Sequence, residues 1–272
     1  MKDERNPQAH QMADESMARN LAHQARAIWP QEAPLFDRYG LEGPLRILDL
    51  GCGTGEITRR LATRYPQATV LGVDILDGNL DIARRESKSY GARVAYEQGD
   101  AFALRFDADA FDLVVCRHMS QSIPDFHLAL AQMTRVLKPG GWLHLLSEDY
   151  GMLHFPVGEL DPDDLWHDVV FDFFRRTRCD GRVGRHSFGL LRASGYHAVR
   201  VDYIVVDPLR CEREDFAGIM RAWRDGYVDI LADTTGRERA EVQRRFDAIV
   251  ASSEDPAQYG VWHVPVISGS KP

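Results

Sequence analysis

The sequence lacks any apolar run approaching the roughly 20 residues that a membrane-crossing helix needs, so no membrane association is expected. Its opening stretch, MKDERNPQAHQMADE, is polar and without the apolar centre of a secretory signal, which points to a cytoplasmic chain. Cysteine is scarce. Cys52, Cys116, Cys179 and Cys211 are scattered, with no C-x-x-C pair and no zinc-like spacing, so neither a disulfide framework nor a metal centre is expected. Positive charge is in deficit: 33 Lys and Arg stand against 41 Asp and Glu, a net charge of −8. A chain built to grip a phosphate backbone would show the opposite excess, so nucleic acid is not an expected partner. The arginine-rich run at 237–245 alternates with acids and reads as a solvated helix face. No repeat, low-complexity tract or linker divides the chain. What is present is 272 residues with 44% hydrophobic content, enough for a full core without a staple.

Residues 8–29 place Met12, Met17, Leu21, Ala25 and Ile28 on helical spacing, until Pro30 and Pro34 break the pattern. From residue 44 the texture changes. Buried-strand patterns over 46–50, 68–74, 92–98, 111–117 and 142–149 alternate with helical patterns over 56–65, 77–90 and 124–137. Such alternation indicates βαβ units and a mostly parallel sheet covered on both faces. Beyond it, helical patterns cover 161–178, 185–194 and 212–252, and strands cover 198–207 and 261–268. Pro265 inside the final strand suggests an edge position or a bulge. The expected architecture is one α/β domain over 1–272, with a helical cap at 1–43, a ligand-binding half at 44–150, and substrate-side helices and final strands at 151–272.

The most informative stretch is Ile47-Leu-Asp-Leu-Gly51-Cys-Gly53-Thr-Gly55, a buried strand running into three glycines and then a helix. Glycines let the backbone turn tightly and let a ligand approach the main chain, at the strand end where open α/β sheets bind ligands. A dinucleotide fingerprint, G-x-G-x-x-G, would need glycine at 56. This chain has Glu56, whose charge would face a pyrophosphate badly, so a ligand without phosphates is expected. Asp74, closing the second strand, is placed to accept hydrogen bonds from ribose hydroxyls. Asp100, after the third strand, could reach an exocyclic adenine amine.

ILDLGCGTG, VLGVDIL, EQGDAFAL, FDLVVCRHMSQSIPD and VLKPGGWLHLLSED, in this order over about 44–150, resemble the successive motifs of the class I S-adenosylmethionine-dependent methyltransferases. The resemblance implies a Rossmann-like, seven-stranded, mostly parallel sheet and S-adenosyl-L-methionine as cofactor, with S-adenosyl-L-homocysteine as product. It implies that Gly51, Cys52, Gly53 and Gly55 face the methionine part of the cofactor and that Asp49 helps hold its amino group. Asp74 would hold the ribose, with Ile75 packed on the adenine. Asp100, Ala101 and Phe102 would meet the adenine edge, and Arg117 would lie under the sulfonium. Gly140-Gly141 reads as a turn before the fifth strand.

Methyl transfer from a sulfonium is an in-line displacement, and the protein's main task is alignment. A general base is needed only for a poor nucleophile such as a hydroxyl. Acceptor-site residues are expected after strands four and five: His118 as a base or a packing residue, with Met119 and Gln121 beside it, then Glu148, Asp149 and Tyr150, with His154 beyond. Glu148 and Asp149 would hold a cationic amine or orient a hydroxyl, or one of them caps a helix. Trp166, Phe171, Phe173 and Phe174 line a pocket or belong to the core, and Trp223, Tyr227, Trp262 and His263 form a lid or pack. The N-terminal helix closes over the cofactor or makes a dimer contact; monomer and homodimer stay open. The leading expectation is a methyltransferase acting on N or O of a small molecule. The alternatives are a methyltransferase for RNA or protein, and a non-catalytic S-adenosylmethionine-binding regulator.

Overall fold

The computed structural model describes residues 6–158 and 160–272. Its sheet contains β1 (Arg46–Leu50), β2 (Thr69–Asp74), β3 (Val94–Gln98), β4 (Phe111–Arg117), β5 (Leu137–Leu146), β6 (Leu153–His154), β7 (His197–Val206) and β8 (Val261–Ser270). The first five run parallel in the order β3-β2-β1-β4-β5, with Ile47 beside both Val70 and Leu113. β8 joins antiparallel to β5, and β7 pairs antiparallel with β8. The sheet has eight strands where the sequence pattern predicts seven. The addition is the two-residue β6, which pairs with Val261 and Trp262 and is too short to leave a periodic signal.

β8 is flanked by β5 and β7, so Pro265 occupies neither an edge nor a bulge. Its carbonyl accepts from Ser147 N on the β5 side, so its nitrogen also faces that side, just where β5 leaves the ladder after the Leu146–Val266 pair. A missing N–H costs little there. β5 begins earlier than the pattern suggests. Leu137 already pairs with Phe111, and the register shifts before Leu113 meets Trp142, so Lys138–Gly141 form an irregular segment within the strand, not a turn ahead of it.

Nine helices frame the sheet among the described residues: α1 (Ala9–Met12), α2 (Glu15–Glu32), α3 (Glu56–Arg64), α4 (Asp77–Glu86), α5 (Phe126–Val136), α6 (Phe171–Thr177), α7 (Val183–Ala193), α8 (Arg213–Thr235) and α9 (Arg239–Glu254). α2 continues through Pro30 to Glu32 before a 3₁₀ segment, Ala33–Tyr39, turns the chain at Gly40. The helical pattern over 212–252 divides at Gly236, which takes the left-handed conformation that ends α8. The pattern over 161–178 resolves into a wide π-type turn, Leu165–Val170, followed by α6.

Strand alternation distributes the core. Ile47, Val70 and Val115 pack with Leu61 of α3 and with Phe36 and Tyr39 on one face. Leu48, Leu50, Val114 and Leu145 pack with Leu130 and Met133 of α5 and Leu191 of α7 on the other. A third cluster joins Ile28 of α2, Phe216 and Trp223 of α8, Phe246 of α9 and Trp262 of β8. α2 is further tied to α8 by Arg19–Asp225 at 3.3 Å and by His23–Asp215 at 2.8 Å. The N-terminal segment and the C-terminal helices thus form one cap over the strand ends. Because β1 lies between β2 and β4, the connections leave in opposite directions and open a crevice at the carboxyl ends of the strands.

Candidate active site

The crevice begins at the loop after β1. Gly51 N and Cys52 N both donate to Val73 O, at 2.7 and 3.1 Å, folding the loop back over the end of β2. Gly53 N donates to Asp74 Oδ2 at 2.8 Å, and Leu76 N donates to Oδ1 at 3.0 Å. Each carboxylate oxygen keeps further acceptor capacity. Burial raises the Asp74 pKa, and the amides of Leu76 and Gly53 oppose that rise. Gly53 has φ +50°, and a Cβ there would lie 2.7 Å from Leu21 Cδ1 of α2, so helix and loop approach as closely as they do because the residue is glycine.

One cavity of about 1070 Å³, solvent at its mouth included, runs along these strand ends. Following the strand order, Asp100, Ala101 and Phe102 lie at the β3 end, Asp74 and Ile75 at the β2 end, Gly51 and Gly53 at the β1 end, Arg117 and His118 at the β4 end, and Glu148 and Tyr150 after β5. The amide of Phe102 donates to Asp100 Oδ1 at 2.8 Å. Met12, Met17, Asn20, Leu21 and Gln24 of the N-terminal segment complete the wall, as do Met119, Gln121, Trp223 and Tyr227. Asn20 and Gln24, and Asn79 of α4, which also lines the cavity, carried no signal in the sequence, because a polar residue on an amphipathic helix reads as solvated.

Several of the sequence-derived candidates stand off the wall. Asp49 lies beneath the loop, accepting from Thr58 Oγ1 at 2.6 Å; burial moves its pKa up to about 6 against that hydrogen bond. The Cys52 thiol is buried against β2. Gly55 caps α3, and any side chain there would collide with the Tyr96 hydroxyl. Asp149 faces α7, where Arg185 Nη2 donates to Oδ1 at 2.8 Å, and it also caps the turn at Gly151. Its charge is therefore taken by Arg185, and it is not available to a cationic acceptor in the cavity. His154 sits exposed on β6, 3.8 Å from Asp163.

His118 and Glu148 meet in the cavity. His118 Nδ1 lies 2.6 Å from Glu148 Oε1, and both side chains are buried. Glu148 as acceptor places the imidazole hydrogen on Nδ1 and leaves Nε2 with a bare lone pair. Neither His118 Nε2 nor Glu148 Oε2 has a partner among the described residues. Burial lowers the His118 pKa below its ordinary value, with Glu148 opposing. The residue has φ +53°, a left-handed conformation that costs about 1–3 kcal/mol at a non-glycine position. It is held there by His118 N donating to Leu146 O at 3.0 Å and by Gln121 Nε2 donating to His118 O at 2.7 Å.

Arg117 reaches the cavity beside them, supported by a buried network invisible in the sequence. Arg117 Nε donates to Glu32 Oε1 at 2.8 Å, and His144 Nε2 donates to the same oxygen at 3.0 Å. Tyr39 Oη lies 2.7 Å from His144 Nδ1 and donates to it. Arg117 Nη2 has no partner among the described residues. No group of three potential metal ligands occurs among the described residues, and no helix there is long and apolar enough to cross a membrane.

Residues 47–141 match the model of the methyltransferase domain family. The demethylmenaquinone methyltransferase of Thermus thermophilus is 41% identical over 106 residues, 39% of this chain and 48% of that protein. The trans-aconitate 2-methyltransferase of Methylobacterium nodulans is 36% identical over 138 residues, 51% of each chain. The chain thus spans about half the length of the curated relatives it matches. Among solved structures, the Haemonchus contortus phosphoethanolamine N-methyltransferase 2 in complex with S-adenosyl-L-methionine superposes with a TM-score of 0.55 at 21% identity, over 90% of this chain and 53% of that one. The [4+2]-cyclase SpnF gives 0.56 at 22%, over 91% and 85%. Motif order and the family match identify residues 47–141 as a class I S-adenosylmethionine-dependent methyltransferase domain, with the cap built outside that segment.

Proposed function

We propose that the chain transfers the methyl group of S-adenosylmethionine to N or O of a small molecule. The observation that carries this reading is a single cavity joining Asp74 and Asp100 at one end to the buried His118–Glu148 pair at the other. When bound, S-adenosylmethionine supplies an electrophilic methyl carbon on a good leaving group. Asp74 fits the ribose because its carboxylate, fixed by two amides, retains lone pairs toward the cavity. Asp100 and Phe102 fit the adenine, and Ile75 offers it an apolar face. Asn20 Oδ1, Gln24 Oε1 and Arg117 Nη2 are buried polar atoms without partners among the described residues, on residues that line the same cavity. They fit an amino acid's ammonium and carboxylate.

His118 is the residue that takes a proton from the acceptor through Nε2, with Glu148 fixing the tautomer. The cap of α2 and α8 excludes water and orients the acceptor, the task from which enzymes of this kind gain most. Enclosure by the cap and the net charge of −8 support a small acceptor over RNA or protein. The four unpaired thiols suit a cytoplasmic setting. SpnF, described as a [4+2]-cyclase, has the same fold, so the fold alone does not decide the chemistry. The deciding experiment incubates the protein with isotope-labelled S-adenosylmethionine and a metabolite extract of the host and follows the label by mass. Label in a small-molecule product supports the reading. Label only in RNA or protein, or none beside measurable cofactor binding, contradicts it.

A further inference from the structure

Past the His118–Glu148 pair the cavity meets a second, smaller chamber of about 330 Å³, open space at its mouth included, and Tyr150, Trp223 and Tyr227 line both. The π-type turn Leu165–Val170 contributes Trp166 and Val170 to its wall, and α8 contributes Leu231. π-type turns inside helices are frequent at functional sites. The ring of Tyr150 stacks toward Trp166 at 5.8 Å and 24°, and lies 5.8 Å from Trp223, while Trp166 and Trp223 stand edge to face at 5.9 Å and 80°. Rings packed on one another in this way present apolar faces and edges to the chamber, against which a flat ring packs.

No Asp, Glu, Lys, Arg or His lines the chamber among the described residues. Its wall is apolar and aromatic throughout, so it holds a ring by packing and offers a cation only the faces of its own rings. Of the two acids expected to serve an amine, Asp149 is committed to Arg185, and Glu148 gives Oε1 to His118 while its Oε2 has no partner among the described residues. The larger cavity, which shares Tyr150, Trp223 and Tyr227 with the chamber, carries the buried imidazole of His118, whose Nε2 has no partner among the described residues and accepts a proton, a service that a hydroxyl acceptor needs.

We propose that the acceptor is an uncharged, flat ring compound bearing a hydroxyl, a phenol or enol, with its ring in the chamber and its hydroxyl at His118 Nε2. This rests on the methyltransferase reading above and narrows it from N or O to O. The acceptor oxygen forms a bond to the methyl carbon as the carbon–sulfur bond breaks and its electron pair stays with sulfur. The hydroxyl proton passes to His118 Nε2 and from there to solvent, so the products are a methyl ether, S-adenosylhomocysteine and a proton.

The test uses calorimetry on the full chain saturated with S-adenosylhomocysteine, titrated with phenol, 2-naphthol and 2-anthrol and with size-matched ring amines, benzylamine and 2-naphthylmethylamine. Labelled S-adenosylmethionine then reports transfer to each. The expected result is saturable binding of at least one phenol, formation of its methyl ether, and amines at least tenfold weaker. Leu231→Phe and Val170→Phe each fill the chamber from a different side. Each is expected to weaken phenol binding at least tenfold while S-adenosylhomocysteine affinity, which also reports a folded cavity, stays within twofold. Amines binding as well as phenols, phenol binding unmoved in both variants, or cofactor binding with no phenol bound would each overturn the proposal. A wild-type chain that fails to bind S-adenosylhomocysteine defeats the methyltransferase reading itself.

Discussion

Glu32→Gln removes one charge from the network that holds Arg117 at the cavity, and its cost follows from the structure. Glu32 is fully buried, and burial alone would raise its pKa. Arg117 and His144 outweigh burial and hold it at about 2, against an ordinary value of 4.5. That difference corresponds to about 3 kcal/mol in favour of the charged form, the scale seen when one partner of a buried pair is removed. Because the folded value lies below the unfolded one, the contribution is complete above about pH 4.5 and is lost as pH falls toward 2. Urea unfolding at pH 7 is therefore expected to show the variant less stable by about 3 kcal/mol. The gap to wild type should narrow in acid, by about 1 kcal/mol at pH 3.5. A gap below about 0.5 kcal/mol at pH 7, or one that stays constant down to pH 3.5, refutes the assignment of Glu32 as the counter-charge.

Three further outcomes follow from the site. Gly53→Val places a side chain against Leu21 at a positive φ, at a strain of about 1–3 kcal/mol, and is expected to abolish S-adenosylhomocysteine binding by calorimetry; affinity within threefold of wild type would show that the loop does not approach the ligand. His118→Asn should lower kcat by about 10²–10⁴-fold with a hydroxyl acceptor and leave cofactor affinity unchanged, whereas an unchanged kcat removes the base. Burial depresses the His118 pKa, so its neutral form persists below the ordinary histidine range and the acid limb of kcat/KM is expected below pH 6.5. Glu148→Gln removes an influence that raises that pKa and should move the limb further toward acid; movement toward alkali contradicts the pairing.

The strands that hold the site were legible wherever apolar residues ran without interruption between turn signals. β1 and β4 begin and end where Arg46–Leu50 and Phe111–Arg117 indicate. Leu137 was hidden because Lys138-Pro139-Gly140-Gly141 looks like a turn, and only pairing across to Phe111 makes it strand. Glu32 was hidden for a different reason: its partners Arg117 and His144 are distant in sequence, and between Pro30 and Pro34, where the helical pattern breaks, nothing marks a carboxylate as buried. Glu148 and Asp149 illustrate the limit of reading neighbours together. Successive side chains of an extended backbone point opposite ways, so one reaches His118 and the other Arg185. The aromatic chamber was only half readable, since Trp166 and Phe173 on a helical pattern suit a core as well as a pocket, and tertiary packing against α8 decides which.

The central claim is that S-adenosylmethionine binds along the strand ends with its ribose on Asp74. Calorimetric titration of S-adenosylhomocysteine into the wild-type chain and into Asp74→Ala, with unfolding curves to establish that both are folded, tests it most directly. The account predicts one saturable site in wild type and an affinity lower by about 1–3 kcal/mol in the variant, roughly 5- to 150-fold in Kd. Equal affinity in two folded proteins, or no binding to wild type, would contradict it.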